Sequence, residues 1–406
     1  MISRVAYLSL HTSPLLQPGL GDAGGMNVYI HELAQTMADR GVAVDVFTRR
    51  DDPSVPAEVL VSPNYRVIHV DAGPARRLPI AALPEVVGTF AKQVITWIRD
   101  HGLTYDLVHS HYWISGWAGV MVKQNLQIPL ANSFHTLGRI KDLTRRPDQE
   151  PSSAVRVLTE QEVIDQSDCV IASTPAEATD LLEHYGASPE RQCVSPPGVD
   201  HELFSPGSKV GARDVLGLGD GNVLLYAGRI QALKGIDVAI EATARLRDVD
   251  LLIVGGPSGP RGSDEVAGLR SFAEALDVAD RVHFLSPQPH ERLADFYRAA
   301  DLLVLPSRSE SFGLVAAEAQ ACGLPVLAAN VGGLPHVVAD GIGGVLVDGW
   351  DPATWASMAR ALLDDGDELA RLSKGAAEWS ARFSWPATAN RLLELYAGIT
   401  GTDAGS

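Results

Sequence analysis

Two glutamates, Glu310 and Glu318, lie in the stretch PSRSESFGLVAAEAQACGLPV, Pro306 to Val326, with seven residues between them. An apolar run, DLLVL, precedes the stretch and predicts a buried strand that stops at Pro306. Ser311, Phe312 and Gly313 then read as a helix start, with helical patterning from Leu314. A helix N-terminus carries free N–H groups and the positive end of a dipole, which suits a diphosphate. At about 1.5 Å per residue, the step between the carboxylates would span about 12 Å, close to the length of a nucleotide-sugar. One carboxylate would then meet sugar hydroxyls and the other ribose hydroxyls. On spacing alone, two solvated glutamates flanking an ordinary strand–turn–helix remain an equal reading.

Cations for such a diphosphate occur in AGRIQALKG, where Arg229 follows a predicted strand and Lys234 comes five residues later. A strand-end Arg and a nearby Lys clamp a phosphate group from two sides. In the first half, the loop HTSPLLQPGLGDAGG contains Gly19, Gly21 and Gly24 in the order G-x-G-x-x-G, with Asp45 downstream. The dinucleotide reading fails on context, because Thr12–Pro18 separates the glycines from the strand and Asp45 falls inside a strand. What remains is a Gly24-Gly25 turn opening a helix at Met26-Asn27, an anion site by the same backbone physics. SHYWISGWAG and NSFHTLGR each follow a strand, and His11, Tyr112, His135 and Thr136 fall at strand ends. Ligands of open α/β sheets bind outside the carboxyl ends of strands. Arg156 falls on a predicted helix, where by itself it reads as a surface charge.

Strand and helix patterns alternate throughout, which predicts parallel sheets covered by helices. Strands are expected at Val5–Leu10, Ala43–Thr48, Arg66–Val70, Leu107–His109, Pro129–Asn132 and Val170–Ser173. A helix is expected over Met26–Arg40, with Met26, Ile30, Leu33 and Met37 on one face. The pattern restarts after residue 220, with strands at Val223–Tyr226, Leu251–Val254, Val282–Leu285 and Val326–Ala329. The Pro- and Gly-rich stretch Val194–Ser208 reads as the linker. Domains are therefore expected over 1–200 and 201–384, with a final helix over about 385–400 crossing back onto the first. The helix pattern at Val86–Asp100 has few basic residues on its polar face and is expected to face a core, not a membrane.

At 406 residues the chain exceeds the size at which one core keeps growing. A net charge of −17 argues against nucleic acid and anionic membrane partners. The apolar start MISRVAYLSLH is too short for a signal peptide, and no run reaches a membrane span. Cys169, Cys193 and Cys322 form no C-x-x-C pair, so core packing and a reducing, cytoplasmic setting are expected, without disulfide or zinc.

Taken together, the Glu310/Glu318 stretch resembles the E-x7-E signature of retaining GT-B glycosyltransferases, particularly glycosyltransferase family 4. The loop LHTSPLLQPGLGDAGGMNVYI, HSHYW, the His-Thr of NSFHTLG, GRIQALKG, VGGPSGP, FYRAADLLVLPS and ESFGLVAAEAQACG extend the resemblance almost end to end. They are most similar to one subgroup, the D-inositol-3-phosphate glycosyltransferases of mycothiol biosynthesis. The resemblance implies an α/β GT-B fold, two Rossmann-like doubly wound parallel-sheet domains facing a central cleft. It implies transfer of N-acetylglucosamine from UDP-GlcNAc to 1D-myo-inositol 3-phosphate with retention, by front-face displacement, after closure about the linker. His135, Arg229, Lys234 and Glu310 would be catalytic. Gln17, Pro18, Gly25, Arg229, Lys234, Glu310, Ser311, Phe312, Gly313, Leu314 and Glu318 would bind the donor. His11, Asp22, Ala23, Gly24, Gly25, Met26, Asn27, Tyr112, Thr136 and Arg156 would bind the acceptor. No catalytic metal is implied; a structural magnesium on carbonyls around Tyr297, Arg298 and Ala300 is allowed, as is a homodimer of soluble subunits.

The chain departs from the subgroup at two places. Ile80, in AGPARRLPIAALP, stands where the subgroup has a Lys for the acceptor phosphate, with Arg76 and Arg77 nearby. Gln288 stands where the subgroup has an Arg on the donor. These keep open a family-4 transferase with another acceptor, such as a sucrose-phosphate synthase or natural-product enzyme. A non-catalytic nucleotide-sugar sensor would be expected to lack one of Arg229, Lys234, Glu310 and Glu318, and all four are present.

Overall fold

The computed structural model describes residues 1–19, 21–146, 149–259 and 262–402. Leu20 and Pro260, which fall inside two of the motifs above, lie outside the described residues. The chain divides into two units. The first comprises Met1–Leu16, Gly25–Pro196 and the segment from Trp385; the second comprises Gln17–Gly24 and Pro197–Ser384. The short Gln17–Gly24 loop thus belongs with the second unit, although it lies in the span expected for the first.

Eight strands build the sheet of the first unit: β1 (Arg4–Leu8), β2 (Ala43–Arg49), β3 (Glu58–Ser62), β4 (Tyr65–Val70), β5 (Leu107–His111), β6 (Leu130–Ser133), β7 (Cys169–Ala172) and β8 (Gln192–Val194). Their order is β3-β4-β2-β1-β5-β6-β7-β8, all parallel except the β3/β4 pair. Six parallel strands form the second sheet: β9 (Asn222–Ala227), β10 (Val249–Val254), β11 (Val282–Leu285), β12 (Leu302–Leu305), β13 (Val326–Ala329) and β14 (Gly344–Val347). These are ordered β11-β10-β9-β12-β13-β14. In both sheets the chain winds outward one way and then the other from a central pair, β1/β5 in the first and β9/β12 in the second. Loops leaving the carboxyl ends of such a pair diverge and open a crevice.

The central strands are near-continuous apolar runs because helices cover both faces. All of β5 and β12 is buried. The helix Val87–Asp100 buries Phe90, Val94 and Ile98 toward the first core, as its pattern requires. The first helix, Gly25–Asp39, buries Ile30, Leu33 and Met37, but its Met26 is only partly buried; Asn27 and Tyr29 take the interior positions instead. The final helix, Trp385–Thr400, belongs to the first unit, where Trp385 meets Tyr29 edge-on and the Tyr396 hydroxyl bonds to His109 at 2.6 Å.

Three strands escape a reading of sequence pattern. β3 is half-exposed at the sheet edge, and β8 and β14 are short edge strands. The cysteine expectation also needs correction: Cys169 on β7 and Cys193 on β8 are joined in a disulfide, with Cα atoms 6.2 Å apart. Adjacent parallel strands bring together residues 24 apart in sequence, which no local spacing rule detects. Cys322 is a buried free thiol, pushed up to about 12 by desolvation.

Glu177 helps to close the N-terminus of the helix Pro175–Tyr185, in a variant of the capping box that reaches one residue beyond the N-cap Thr174. Thr174 Oγ1 accepts its amide, and its carboxylate accepts the Ser173 amide at 2.7 Å. Desolvation pushes this carboxyl up to about 7. Between its ordinary value of 4.5 and 7 the folded chain therefore holds a proton that the unfolded chain releases, so this group lowers stability as pH rises, by about 3 kcal/mol in full above 7. Glu177→Gln should accordingly gain melting temperature over wild type progressively from pH 5 to pH 8. A difference independent of pH in paired thermal scans would refute this.

Candidate active site

In the second unit, the carboxyl ends of β9 and β12 carry the charged residues. β9 runs into Gly228-Arg229, and the Tyr226 hydroxyl holds the Arg229 carbonyl at 2.9 Å. Lys234 ends a short 3-10 turn, Ala232–Lys234, and its ammonium is ion-paired with the Glu310 carboxylate that follows β12. The phenol of Tyr226 feels both Glu310 and Arg229 and, mainly through burial, stays un-ionised. Lys234 and Glu310 are each about one-fifth exposed, so the pair is reachable but not fully solvated.

Close main-chain packing fixes the turn that carries Glu310. A Cβ on Gly235 would lie 2.0 Å from the Pro306 carbonyl oxygen. One on Gly332 would lie 2.1 Å from the Glu310 oxygen, and one on Gly333 2.1 Å from that of Ser311. The Gly333 amide donates to the Glu310 carbonyl at 2.8 Å, and the Arg308 amide to Leu233 at 2.7 Å. Only glycine permits these approaches. Gly313, at φ +99°, then turns the chain into the helix Leu314–Ala321.

The helix begins after Glu310, which corrects the spacing argument: the two glutamates are not on one helix, and a rise of about 1.5 Å per residue does not measure their separation. Neither is a freely solvated surface group. Glu318 is 5% exposed, receives the Tyr297 hydroxyl at 2.9 Å, and is raised above the ordinary carboxylate range by desolvation. Phe312 is buried against Phe383, while Ser311 and Leu314 are partly buried.

The loop from the first motif sits with this unit. The Gly19 amide donates to Ala23 at 2.9 Å, and Gly24 lies against the Arg229 guanidinium, where a Cβ would come within 3.0 Å of Nε. Gln17 is exposed and Pro18 partly so; Asp22 is exposed. Gln288 folds its amide back onto the Ser286 carbonyl at 2.9 Å.

The carboxyl ends of β1, β5 and β6 gather the other residues in the first unit. Asn27 is buried and donates to Thr12 Oγ1 and the Ser13 carbonyl, both at 2.7 Å, which ties the start of the first helix to the chain after β1. Gly25 and Met26 form that start. Tyr112 and His135, each just beyond a strand, adopt positive φ, 79° and 59°. Non-glycine residues pay for that geometry, and such strain concentrates at functional sites. The His11 ring lies 4.7 Å from that of Tyr112.

Arg156 is not a surface charge. It is 8% exposed, donates to Glu160 at 2.7 Å and to the Thr136 carbonyl and hydroxyl at 2.9 and 3.2 Å, and lies 5.3 Å over the Tyr112 ring. Glu160 is wholly buried and also accepts the Gly138 amide and the Tyr185 hydroxyl. Leaving a buried charge uncompensated costs about 3–5 kcal/mol, so Glu160 is what keeps Arg156 in place. Asp45 is likewise spent within the fold, on Arg4, Arg66 and the Tyr105 hydroxyl, consistent with setting the dinucleotide motif aside.

A histidine cluster lay beyond what strand-end positions revealed. His109 bonds Tyr396 and Ser133, and His111 Nδ1 lies 3.1 Å from His135 Nε2. Burial pushes His109 and His135 down to about 3, with His11 adding to the effect on His135, so His135 is neutral near pH 7. The alternation in HSH was the available signal: on a strand, residues two apart share a face.

Among the described residues no group of three His, Cys, Asp or Glu side chains could hold a metal. Tyr297, Arg298 and Ala300 close the helix His290–Ala299. The adjacent Asp301 carboxylate is taken by Lys209, Arg213 and the Val223 amide, and the Arg298 guanidinium covers the carbonyls of Ser205 and Leu203. That leaves main-chain carbonyls beside a guanidinium, a poor fit to a divalent cation.

Residues 23–203 match the family Glycosyltransferase Family 4, and residues 212–379 match Glycosyl transferases group 1. A D-inositol 3-phosphate glycosyltransferase of Thermobispora bispora is 48% identical over 97% of this chain and 94% of that protein. One of Corynebacterium efficiens is 45% identical over 98% of this chain and 96% of that protein. Among solved structures, a sucrose-phosphate synthase from Thermosynechococcus elongatus superposes with a TM-score of 0.93 at 32% identity, covering 98% of this chain and 99% of that one. Anabaena HepE in complex with UDP and glucose shares the fold, at 20% identity and a TM-score of 0.80, over 98% of this chain and 100% of that one. With such identity along nearly its whole length, the chain belongs to glycosyltransferase family 4, among the D-inositol 3-phosphate glycosyltransferases.

Proposed function

We propose that the protein transfers N-acetylglucosamine from UDP-GlcNAc to D-inositol 3-phosphate with retention of configuration. The observation that carries the reading is the cationic, backbone-rich site at the switch point of the second sheet. There the Lys234–Glu310 pair precedes the start of the Leu314–Ala321 helix, and Arg229 leaves the end of the neighbouring strand β9. A nucleoside diphosphate needs such a set, since its charge must be neutralised as it leaves. On this reading Arg229, Lys234 and the amides near Phe312–Leu314 stabilise the departing UDP. Glu310 orients Lys234 and meets sugar hydroxyls. Glu318, held by Tyr297, receives ribose hydroxyls. Gln17, Pro18 and Gly25 border the nucleotide-sugar.

The acceptor reading rests on the first unit. Arg156 is a fixed buried cation between Tyr112 and Thr136, and His11, Asn27 and the main chain of Gly25-Met26 supply further polar groups. A phosphorylated polyol offers both an anion and hydroxyls to such a set. In the transfer, the bond from the sugar C1 to the diphosphate oxygen breaks and the acceptor oxygen bonds C1 on the same face. The acceptor proton passes to the departing phosphate oxygen. Neutral His135 positions the sugar by hydrogen bonding. Glu160 makes no covalent nucleophile, because Arg156, Tyr185 and the Gly138 amide already occupy it.

One observation favours a second reading, another acceptor on the same machinery. Ile80 opens the 3-10 helix Ile80–Val86 and packs against the first core. The neighbouring Arg76 and Arg77 are exposed, with the Arg76 carbonyl held by Arg49 at 2.7 Å.

Purified protein with UDP-GlcNAc should release UDP faster when D-inositol 3-phosphate is added, and mass spectrometry should find a phosphate-bearing glycoside. Slow hydrolysis indifferent to that compound would transfer the case to the second reading. Arg229→Ala should lower turnover by about 10²–10³-fold with an unchanged melting temperature; near-normal turnover would remove Arg229 from the site. If inositol phosphate is the acceptor, Ile80→Lys should lower the acceptor KM severalfold and leave the donor KM alone. An unchanged acceptor KM would mean that the phosphate is not held at this segment.

A further inference from the structure

His111 is the last residue of β5, and His135 follows β6; the register pairs His111 with Ser133, so the two rings arrive side by side. They lie 5.4 Å apart, 27° from parallel, with His111 Nδ1 3.1 Å from His135 Nε2. Both imidazoles are neutral, since desolvation pushes each far below its ordinary value. A hydrogen bond between two neutral imidazoles needs one N–H and one lone pair, so only two arrangements exist.

The other nitrogen of His111 separates them. His111 is fully buried, packed among the rings of Tyr7, Tyr29 and His109, and its Nε2 has no hydrogen-bond partner among the described residues. If His111 accepted from His135, its own proton would sit on Nε2 as a buried N–H without an acceptor. If it donates through Nδ1, Nε2 is left as a buried lone pair. Orphaned buried N–H groups are rarer than under-satisfied acceptors.

We propose that His111 is a positioning residue: it donates its Nδ1 proton to His135 Nε2 and thereby fixes His135 as the Nδ1–H tautomer. In that tautomer any bond that His135 makes through Nδ1 is one it donates, without needing to be an imidazolium. The inference builds on the placing of His135 in the transferase site, but the tautomer itself is independent of which acceptor is used. Which ring nitrogen carries the proton is commonly set by the bond that the other makes. Here the partner is a second histidine instead of a carboxylate, which leaves His135 neutral.

The test is a long-range 1H–15N correlation spectrum of histidine-labelled full-length protein, with His135→Asn used to assign the His135 signals. The expected pattern for His135 is a protonated Nδ1 and a bare Nε2. The reverse pattern in wild type would overturn the proposal outright. Kinetics give a second reading. His111→Leu, which removes the donor, should mix the His135 tautomers and lower kcat roughly tenfold to a hundredfold with little change in donor KM. His111→Asn, whose amide can donate from near the Nδ1 position, should restore the His135 pattern and most of kcat. If His111→Asn fails as badly as His111→Leu while both fold, His111 serves packing alone. A His135→Asn variant of full activity would instead sink the placing of His135 in the site, and leave the spectral result standing.

Discussion

Close main-chain packing behind the Pro306–Leu314 turn is the constraint on which the second unit's site depends. The turn must present a helix N-terminus, a carboxylate and a lysine partner from a segment that has no regular hydrogen-bonding ladder of its own. The Gly235 backbone pressed on Pro306, and Gly332-Gly333 pressed on Glu310 and Ser311, supply that support without side chains. Parallel-sheet topology puts these glycine turns there. Gly235 follows β9, the turn follows β12 and Gly332 follows β13, three neighbours in one sheet. A loop held this way can keep Lys234 against Glu310 while leaving both partly open to solvent. Orientation held by rigid main chain needs no reorganisation when charge develops, which is where electrostatic catalysis gains most.

The first unit solves the same positioning problem with buried polar side chains. Its strand ends carry Tyr112 and His135 in positive-φ conformations, and the pattern is over-determined by what surrounds them: the Tyr112 amide bonds Ser133, Arg156 covers the Tyr112 ring, and His111 bonds His135. Arg156 depends in turn on Glu160, whose carboxylate gathers three donors from separate segments. Such a hub is costly to form and costlier to break, since removing one member strands the others. The final helix contributes through Tyr396 and His109, so a segment distant in sequence bears on residues beneath the site.

Much of the architecture was legible because its signals are local. Apolar runs located the central strands to within a residue or two, and the restart of the pattern after residue 220 announced a second sheet. The edge strands β3, β8 and β14 were not legible, since an edge needs neither length nor a double apolar face. Motif resemblance marked Arg229, Lys234, Glu310 and Glu318, but the pairing of Lys234 with Glu310 and the burial of Glu318 against Tyr297 are tertiary facts. Arg156 shows the limit clearly. As one basic residue on a helix it looked solvated, and only the return of Glu160 one turn later beneath Thr136 and Tyr112 makes it an interior cation. The Cys169–Cys193 bond was missed for the same reason, because adjacency of β7 and β8 is not written in either segment.

The two glutamates of the organising stretch illustrate how environment divides like residues. Glu310 leaves its strand end toward a lysine and keeps partial access to solvent. Glu318, inside a helix that buries Ala316, Ala317 and Ala319 beside it, faces a tyrosine hydroxyl and is raised above the ordinary carboxylate range by desolvation. A carboxylate paired with a cation has its charged form favoured; one desolvated in an apolar setting has that form disfavoured and accepts what hydrogen bonds its neighbours supply. Equal spacing from a helix start therefore does not confer equal chemistry. The stretch carries two identical side chains, but the fold pairs one with a cation and buries the other against a phenol.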